Sequence, residues 1–438
     1  VNMRRATLYT FFYKIFLSLV TFANGALTAR YLVDKGDRLN FQFAGTVTNT
    51  GTTYVGGFTG YYAYALSKNP ERAEQVLQMG NLFVFGISFL LWLGTSLALL
   101  LGLSLPMVWV WALYAMPLNF IFGYGTRILQ GSNQMSWLNR INAAQPVLFL
   151  LLYLPVFLMG RQMPEAWRLM FTFMNWAVTT AVAAGGAMLI SYRLLDKRRV
   201  YPWHYTREEW LGTFRYGGWL SLANLVNIAN YRMDFWMVRA MVPANTASDY
   251  GIAVTASEVL LNISGSLTQV VFTRMTGAKR EDAIAITELS SRHALLSSGA
   301  VAIGMAAFFP WLIVAAYGHR YIHAIWPFLI LLPGLVVKAP SNLILQYVTN
   351  TLGHPKGTIL MNGMSAAINY LICIALLPGF SLMGGAIAST VSYGVSYVVY
   401  NLWFAHYNKS PLGNLWRLRK EDFVPYLRVF QSVWQRLG

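Results

Sequence analysis

The stretch LGTFRYGGWLSLANLVNIANYRMD, residues Leu211 to Asp234, decides how the rest of the chain is read. It is apolar enough to cross a bilayer, yet Asn224, Asn227, Tyr231 and Asp234 recur at spacings of three and four, which stack on one helical face. A carboxylate inside a membrane is costly unless it faces a cavity or a partner, so a polar stripe in a spanning helix reads first as a functional site. The stretch also has an earlier copy. Leu8, Thr10, Phe11, Tyr13, Leu17 and Ser18 recur in register as Leu211, Thr213, Phe214, Tyr216, Leu220 and Ser221, with Asn24 matching Asn227. Two related halves facing a shared polar interior are implied.

Hydrophobic residues make up 56% of the chain and charged residues 11%, against about 25% charged in ordinary soluble proteins. This composition describes an integral membrane protein. No hydrophilic stretch reaches the roughly 50 residues of a small soluble domain, which excludes a separate catalytic or nucleic-acid-binding domain. The net charge of +17 therefore reads as the positive-inside bias of membrane chains rather than as a nucleic-acid footprint. The single cysteine, Cys373, lies in an apolar run and excludes an internal disulfide or a cysteine metal cluster. Arg4 and Arg5 precede an apolar run without a small-residue cleavage site, so the first segment is expected to be a retained span.

With about 20 residues needed per span, helices are expected near 6–32, 40–67, 75–103, 107–130, 134–160 and 166–195, and again near 208–240, 247–274, 282–317, 322–351, 355–379 and 382–407. The fold class is an all-α integral membrane protein of about twelve transmembrane helices, in two pseudo-twofold-related six-helix bundles around a central cavity. The expected divisions are an N-terminal bundle (1–195), a basic linker (196–207), a C-terminal bundle (208–407) and an amphipathic tail (408–438). Lysine and arginine collect on the side of the linker and tail, whereas the opposite side holds only Lys35, Arg38, Arg161, Arg168, Arg239 and Arg320. Both termini are therefore expected to be cytoplasmic.

The repeat extends beyond the first helix. Pro117, Asn119, Ile121, Tyr124, Thr126 and Leu129 return as Pro340, Asn342, Ile344, Tyr347, Thr349 and Leu352, which predicts paired bends in the fourth and tenth spans. Six spans separate the copies, so both halves cross the membrane in the same sense, a plan suited to rocking one bundle against the other.

No P-loop or HExxH motif is present, and the six histidines are scattered. The chain reads as a non-enzyme without cofactor or metal, its one possible small partner being a coupling ion, H+ or Na+. Basic residues in or near spans are Lys14, Arg30, Arg127, Arg140, Arg215, Arg232, Arg292 and Lys338; the acids there are Asp234, Glu258 and Glu288. Lys14, Arg127, Arg140 and Arg215 have a structural alternative in snorkelling to one interface, and Arg30 to the other. Glu288 and Arg292 stand four apart and are expected to pair. Lys338 resists such explanations, because Asn342, Gln346 and Asn350 continue its face. Glu258, Asn262 and Gln269 form a similar stripe, as do Thr46, Asn49, Thr50 and Thr53 in the second span. Arg232 and Asp234, two apart, must find partners on different helices. The candidate ligand-binding set is Lys14, Asn24, Arg30, Asn49, Asn227, Arg232, Asn262, Lys338, Asn342 and Gln346, with Asp234 and Glu258 as candidate ion-coupling acids. An interior with more cations than anions, rich in amides and hydroxyls, suits a ligand anionic at one end and hydroxylated at the other.

Tyr317, Gly318, Tyr321 and Ala324, the kinked tenth span, Gly353 to Lys356, and Asn369 followed by PGFSLMGGAIAS (Pro378 to Ser389) resemble the flippases of the multidrug/oligosaccharidyl-lipid/polysaccharide (MOP) superfamily. Within it the chain is most similar to Wzx-type polysaccharide-unit flippases. The resemblance implies movement of undecaprenyl-diphosphate-linked oligosaccharide across a bacterial inner membrane by ion-coupled alternating access. The implied partners are that lipid-linked glycan, membrane lipids and a polysaccharide polymerase, with the chain itself a monomer. It also implies that Lys338, Arg232, Arg30 and Lys14 attract diphosphate while the amide stripes hold glycan hydroxyls. Two other readings stay open within the superfamily: a multidrug (MATE-like) cation antiporter, which calls for an acidic cavity, and a lipid II flippase, whose expected first-helix charged pair is not evident. A membrane-embedded assembly subunit that transports nothing would have a packed interior.

Overall fold

The computed structural model describes residues 3–68, 73–160, 163–194, 207–275, 279–352 and 354–423. Its first six long helices are α1 (Met3–Tyr31), α2 (Lys35–Lys68), α3 (Ala73–Leu100), α4 (Met107–Gly131), α5 (Met135–Met159) and α6 (Glu165–Leu194). Helix α7 runs through Arg207–Gly212, a π-helical turn Thr213–Gly217, and Gly218–Met241. It is followed by α8 (Ala244–Met275) and α9 (Arg280–Tyr317). Helix α10 (Ile325–Gln346) is led in by a 3-10 turn, His319–Ala324, and led out by a π-helical turn, Tyr347–Thr351. The last two are α11 (Pro355–Phe380) and α12 (Leu382–Asn408). Each expected span has its helix. The linker from 196 to 206 lies outside the described residues, as does the tail beyond 423.

The π turns interrupt α7 and the end of α10, whereas α4 runs through Pro117 unbroken. The paired bends expected from the matched prolines are therefore unequal. At Pro340 the missing N–H frees the Val336 carbonyl, which Ser298 Oγ of α9 approaches at 3.2 Å while bonding the Ala294 carbonyl at 2.6 Å. The turn out of α9 needs Gly318, whose φ of 98° is a conformation L side chains avoid.

Within the first half α1 packs on α5, α2 on α3 and α4, α4 on α3 and α6, and α5 on α6. Adding six to each number gives pairs that also pack in the second half: α7 on α11, α8 on α9 and α10, α10 on α9 and α12, and α11 on α12. Between the halves the main contacts are α1 with α8 and α2 with α7, which exchange under the same operation, together with α2 against α8. Eight helices are long and apolar enough to cross a membrane by length and composition. The four least apolar on average, α1, α2, α7 and α8, are the four that build the seam. Helices too polar for lipid on all sides are stable in a bilayer only when their polar faces meet each other or an internal cavity. Hydropathy thus selects which helices go to the middle.

Along α2 and α7 the seam is tight. A Cβ on Gly57 would overlap the backbone nitrogen of Ser221, so glycine is what permits the backbones to approach. Tyr64 stacks on Tyr216 at 5.3 Å and Phe58 meets Phe214 edge-on at 6.0 Å.

At the face where α12 ends, the chain turns back onto the protein instead of lying free. Leu415 is buried against Tyr347, Tyr400 and Phe404. Arg292 and Glu288 do not pair with each other, contrary to their four-residue spacing. Arg292 Nε donates to Asp422 Oδ2 at 2.8 Å and its Nη1 to the Asn414 carbonyl at 2.6 Å, while Glu288 accepts from Ser410 Oγ and, at 3.1 Å, from Asn414 Nδ2. Both side chains reach the returning segment, which satisfies more of their hydrogen-bonding groups than a mutual contact would. Burial alone would raise the Asp422 carboxyl, but hydrogen bonds from Arg292 and the Arg419 N–H, with the charge of Arg292, outweigh it and hold it below the usual carboxylate range. A depressed pKa contributes stability that is complete above the unfolded value and is lost as pH falls through the folded one. Docking of the segment is therefore expected to weaken below about pH 4, measured as increased proteolysis after Asn408. Asp422→Asn, which leaves Arg292 buried without its charge partner, is expected to expose the segment at neutral pH at a cost of about 3 kcal/mol.

Candidate functional site

The end of the α7 stripe, Tyr231 and Asp234, faces the interior of the second half. Asp234, 3% exposed, accepts hydrogen bonds from Tyr250 Oη (2.5 Å, α8), Ser389 Oγ (2.8 Å, α12) and the Phe235 N–H (2.8 Å). Asn369 Nδ2 of α11 donates to Ser389 Oγ at 2.9 Å, and Cys373 Sγ donates to Asn369 Oδ1 at 3.3 Å. This carboxylate is held by donors from two other helices, a well-satisfied buried anion. Two residues earlier, Arg232 turns to a different face and pairs with Glu258 of α8 at 2.9 Å.

Lys338 has no comparable partner. Its ammonium, on a residue 1% exposed, lies 4.9 Å from the ring centre of Tyr231 and 4.8 Å from that of Tyr393, and has no hydrogen-bond partner among the described residues. Both rings are fixed from behind. Tyr231 Oη and the Asn342 side-chain amide hydrogen bond at 3.1–3.2 Å, and Tyr393 Oη donates to the Asn230 carbonyl at 3.1 Å. Two aromatic faces attract a cation by about 2 kcal/mol when desolvated, less than the several kcal/mol lost on removing an ammonium from water. The centre of the second half therefore holds a lysine amine caged by two rings with no acid paired to it among the described residues.

Two cavities flank the seam. One of about 340 Å3 lies between α1 and α8, lined by Leu17, Ser18, Thr21, Phe22, Thr255, Glu258 and Val259. The other, about 350 Å3, lies among α2, α4, α5 and the middle of α7 and includes Thr52, Thr53, Thr126, Arg127, Asn142 and Asn224 in its wall. Asn224 Nδ2 donates across the seam to the Thr53 carbonyl at 3.2 Å.

At the end away from the returning segment, the halves are clasped. Lys35 Nζ meets Asp249 Oδ1 at 2.9 Å. Arg38, 4% exposed, lies 5.6 Å from the ring centres of both Tyr317 and Tyr321 and donates to the Ser248 carbonyl at 3.4 Å. Gln42 Nε2 donates to the Gly251 carbonyl at 2.8 Å, and Arg239 Nη2 to Asn40 Oδ1 at 3.1 Å. Arg30 Nε donates to the Ala316 carbonyl at 2.6 Å at the end of α9, and Arg320 returns the contact by donating to the Leu32 and Val33 carbonyls.

The sequence-selected residues thus fall into separate places. Arg232, Asp234, Glu258, Lys338 and Asn342 come together at the centre of the second half. Gln346 lies one helical turn beyond Asn342, its Oε1 buried without a hydrogen-bond partner among the described residues. Asn24 donates to the Pro146 carbonyl at 2.8 Å inside the first half, Asn49 is exposed and Asn227 half-buried. Arg30 belongs to the distal clasp and not to the central cluster, because its guanidinium reaches the carbonyls that end α9. The side chains of Lys14 and Asn262 lie outside the described residues. Sequence reading missed Tyr250, Tyr393 and Ser389 as site residues and took Tyr231 only as part of a stripe, because none of them carries a charge to announce it. It also missed Lys35 and Arg38, which the positions of the spans assigned to a loop.

No family model matches the chain, and no curated protein matches its sequence. Solved structures do match its fold. An inward-facing multidrug resistance MATE family transporter of the MOP superfamily superposes with a TM-score of 0.68 at 15% identity, over 91% of this chain and 95% of that one. A point mutant of the Vibrio cholerae MATE transporter VcmN gives 0.65 at 16% identity, over 93% and 97%. The lipid II flippase MurJ in an inward closed conformation gives 0.65 at 10% identity, over 96% and 92%. The protein is a multi-pass α-helical membrane protein. Its two-bundle fold is that of the MOP superfamily.

Asp234 and Lys338 are expected to respond to neutralisation with opposite signs. Asp234→Asn weakens charge-assisted hydrogen bonds from Tyr250 and Ser389 and should destabilise the detergent-solubilised protein by about 2 kcal/mol. Lys338→Met removes a buried, unpaired charge and should leave stability unchanged or raise it by about 1 kcal/mol. Thermal unfolding of the two variants beside the parent checks both.

Proposed function

We propose that the protein is a flippase that moves undecaprenyl-diphosphate-linked oligosaccharide from the cytoplasmic to the outer leaflet of a bacterial inner membrane, by ion-coupled alternating access. The observation that carries this reading is the Lys338 ammonium, kept between Tyr231 and Tyr393 without a carboxylate or any hydrogen-bond acceptor among the described residues. Around it the acids are already engaged, Glu258 by Arg232 and Asp234 by three donors. A buried cation left open attracts an anionic ligand; a site for organic cations would leave an acid open instead.

The two cavities support transport over a purely structural role. The crevice between α1 and α8 combines apolar Leu17, Phe22 and Val259 with polar Ser18, Thr21 and Glu258, a lining that suits an isoprenoid chain remaining in the bilayer while its headgroup lies inside. The distal clasp closes the outer side of the seam, and opening it requires Lys35 to leave Asp249 and Arg38 to leave its tyrosines. Glu258, whose side chain is 29% exposed, is the acid best placed to exchange a proton or sodium ion, since Arg232 is available to release and recapture it. Asp234, enclosed by Tyr250 and Ser389, acts instead as the fixed link between α7, α8 and α12.

Full-length protein in liposomes containing a fluorescent lipid-linked oligosaccharide is expected to exchange it between leaflets, faster under an imposed proton or sodium gradient. Lys338→Met should slow exchange about tenfold, equivalent to roughly 1.4 kcal/mol, with no loss of folded protein. Gradient-driven efflux of a cationic dye without leaflet exchange would replace this reading with the multidrug antiporter. Exchange confined to lipid II would narrow it to that substrate.

A further inference from the structure

The cavity of about 350 Å3 in the first half has a lining of one sign. Arg127 is its charged group, accompanied by Gln130, Asn142, Asn224 and the hydroxyls of Thr52 and Thr126, and no carboxylate is among the lining residues described. Arg127 Nη1 donates to Gln130 Oε1 at 2.8 Å. A guanidinium has five N–H donors in a planar fork, so this bond leaves most of its capacity for another acceptor. A snorkelling arginine would turn to the interface, but here Arg127 is half-buried in the cavity wall with residues of α2, α5 and α7. The cavity volume lies within the range of about 300–1,000 Å3 that holds small ligands.

Its depth is also informative. Arg127 lies one turn from the end of α4 and Asn142 two turns from the start of α5, so the cavity occupies the half of the molecule nearer the linker and tail. Asn224 at its inner edge lies two turns before Tyr231, which forms one wall of the Lys338 cage. Two turns of α7, from Asn224 to Tyr231, thus separate the cavity of the first half from the Lys338 cage of the second. The repeat does not supply this arrangement twice: in the register that matches Pro117 with Pro340, Arg127 falls on Asn350 and Lys338 on Ala115.

The geometry points to a loading site for the phosphate-bearing end of a saccharide ligand, with Arg127 binding the phosphate and Asn142, Asn224 and Gln130 binding adjacent sugar hydroxyls, before the ligand advances to Lys338. Amide and hydroxyl groups accept and donate in the same place, as neighbouring sugar hydroxyls require. A bidentate guanidinium contact matches two phosphate oxygens. This assignment deepens the flippase reading and rests on it for the direction of movement, but not for the existence of the site.

The test uses the full chain and its single buried cysteine, Cys373, which leaves a cysteine placed in the cavity as the reactive thiol. In Asn142→Cys protein, an anionic methanethiosulfonate reagent is expected to react faster than a cationic one, and Arg127→Gln should lower that ratio about tenfold, while Lys338→Met should not change it. Farnesyl diphosphate should slow modification, whereas farnesol and N-acetylglucosamine should not, and Arg127→Gln should weaken the protection about ten- to hundredfold, with Arg127→Lys between. Inorganic pyrophosphate that protects equally well marks recognition of the headgroup alone; protection by farnesyl diphosphate only marks arrival through the bilayer. Both support the site. Equal reactivity toward the two reagents, no protection by either phosphate compound, or protection that survives Arg127→Gln overturns it. Leaflet exchange without protection would retain the flippase and dismiss this site, and protection without exchange would do the reverse.

Discussion

The structure depends on the need of four helices to keep their polar faces out of lipid. Helices α1, α2, α7 and α8 carry the polar stripes, and inside a bilayer their amides, hydroxyls and charges find partners only in one another or in water held between them. The eight more apolar helices are free to face the hydrocarbon. This one constraint sets the two-bundle plan, because the seam of each half must be satisfied by the seam of the other. It also accounts for the glycines of that seam: Gly57 lets the backbones of α2 and α7 come together where side chains would hold them apart.

The seam is satisfied unevenly along its length, and the unevenness is where function resides. At the distal end Lys35, Arg38 and Asp249 engage one another or aromatic rings, and Arg30 and Arg320 cap carbonyls in the opposite half. Many modest contacts spread over two surfaces can separate together, unlike a single deeply buried ion pair, so such a clasp can hold and still open. Toward the centre, Asp234 is enclosed by fixed donors and Lys338 is left without an acceptor among the described residues. The first arrangement joins helices; the second leaves a basic group without a partner among the described residues. Distance from solvent does not separate them, since both residues are almost fully buried. Hydrogen-bond satisfaction does.

The repeat carries the fold and stops short of the site. Tyr124 and Tyr347 occupy matched, fully buried positions and help close each half, yet the cations at Arg127 and Lys338 have no counterparts in the other copy. A symmetric scaffold with asymmetric charge gives the interior a direction, which two equal binding sites would not. The solved transporters share the scaffold at 10–16% identity, as expected when helix packing tolerates substitution and the charges inside do not have to agree. Several short motifs of the resemblance have definite structural uses: Tyr317 and Tyr321 hold Arg38, and Asn369 and Ser389 support Asp234.

The class of protein, the number and placement of the spans, the internal repeat, and the membership of Asp234, Glu258 and Lys338 in a polar interior were all legible in the residues alone. Those properties follow from local hydropathy and helical periodicity, which each segment carries without reference to the others. Which charges meet was not legible, and packing settled it. Arg292 joins Asp422 across 130 residues instead of Glu288 one turn away, Arg38 enters the seam although its position suggested a loop, and Arg127 faces a cavity although its place near a helix end suggested the interface. An ion pair or a cage is set by side chains from different helices arriving at the same depth and angle, and that depends on how the bundles cross, which no single helix encodes.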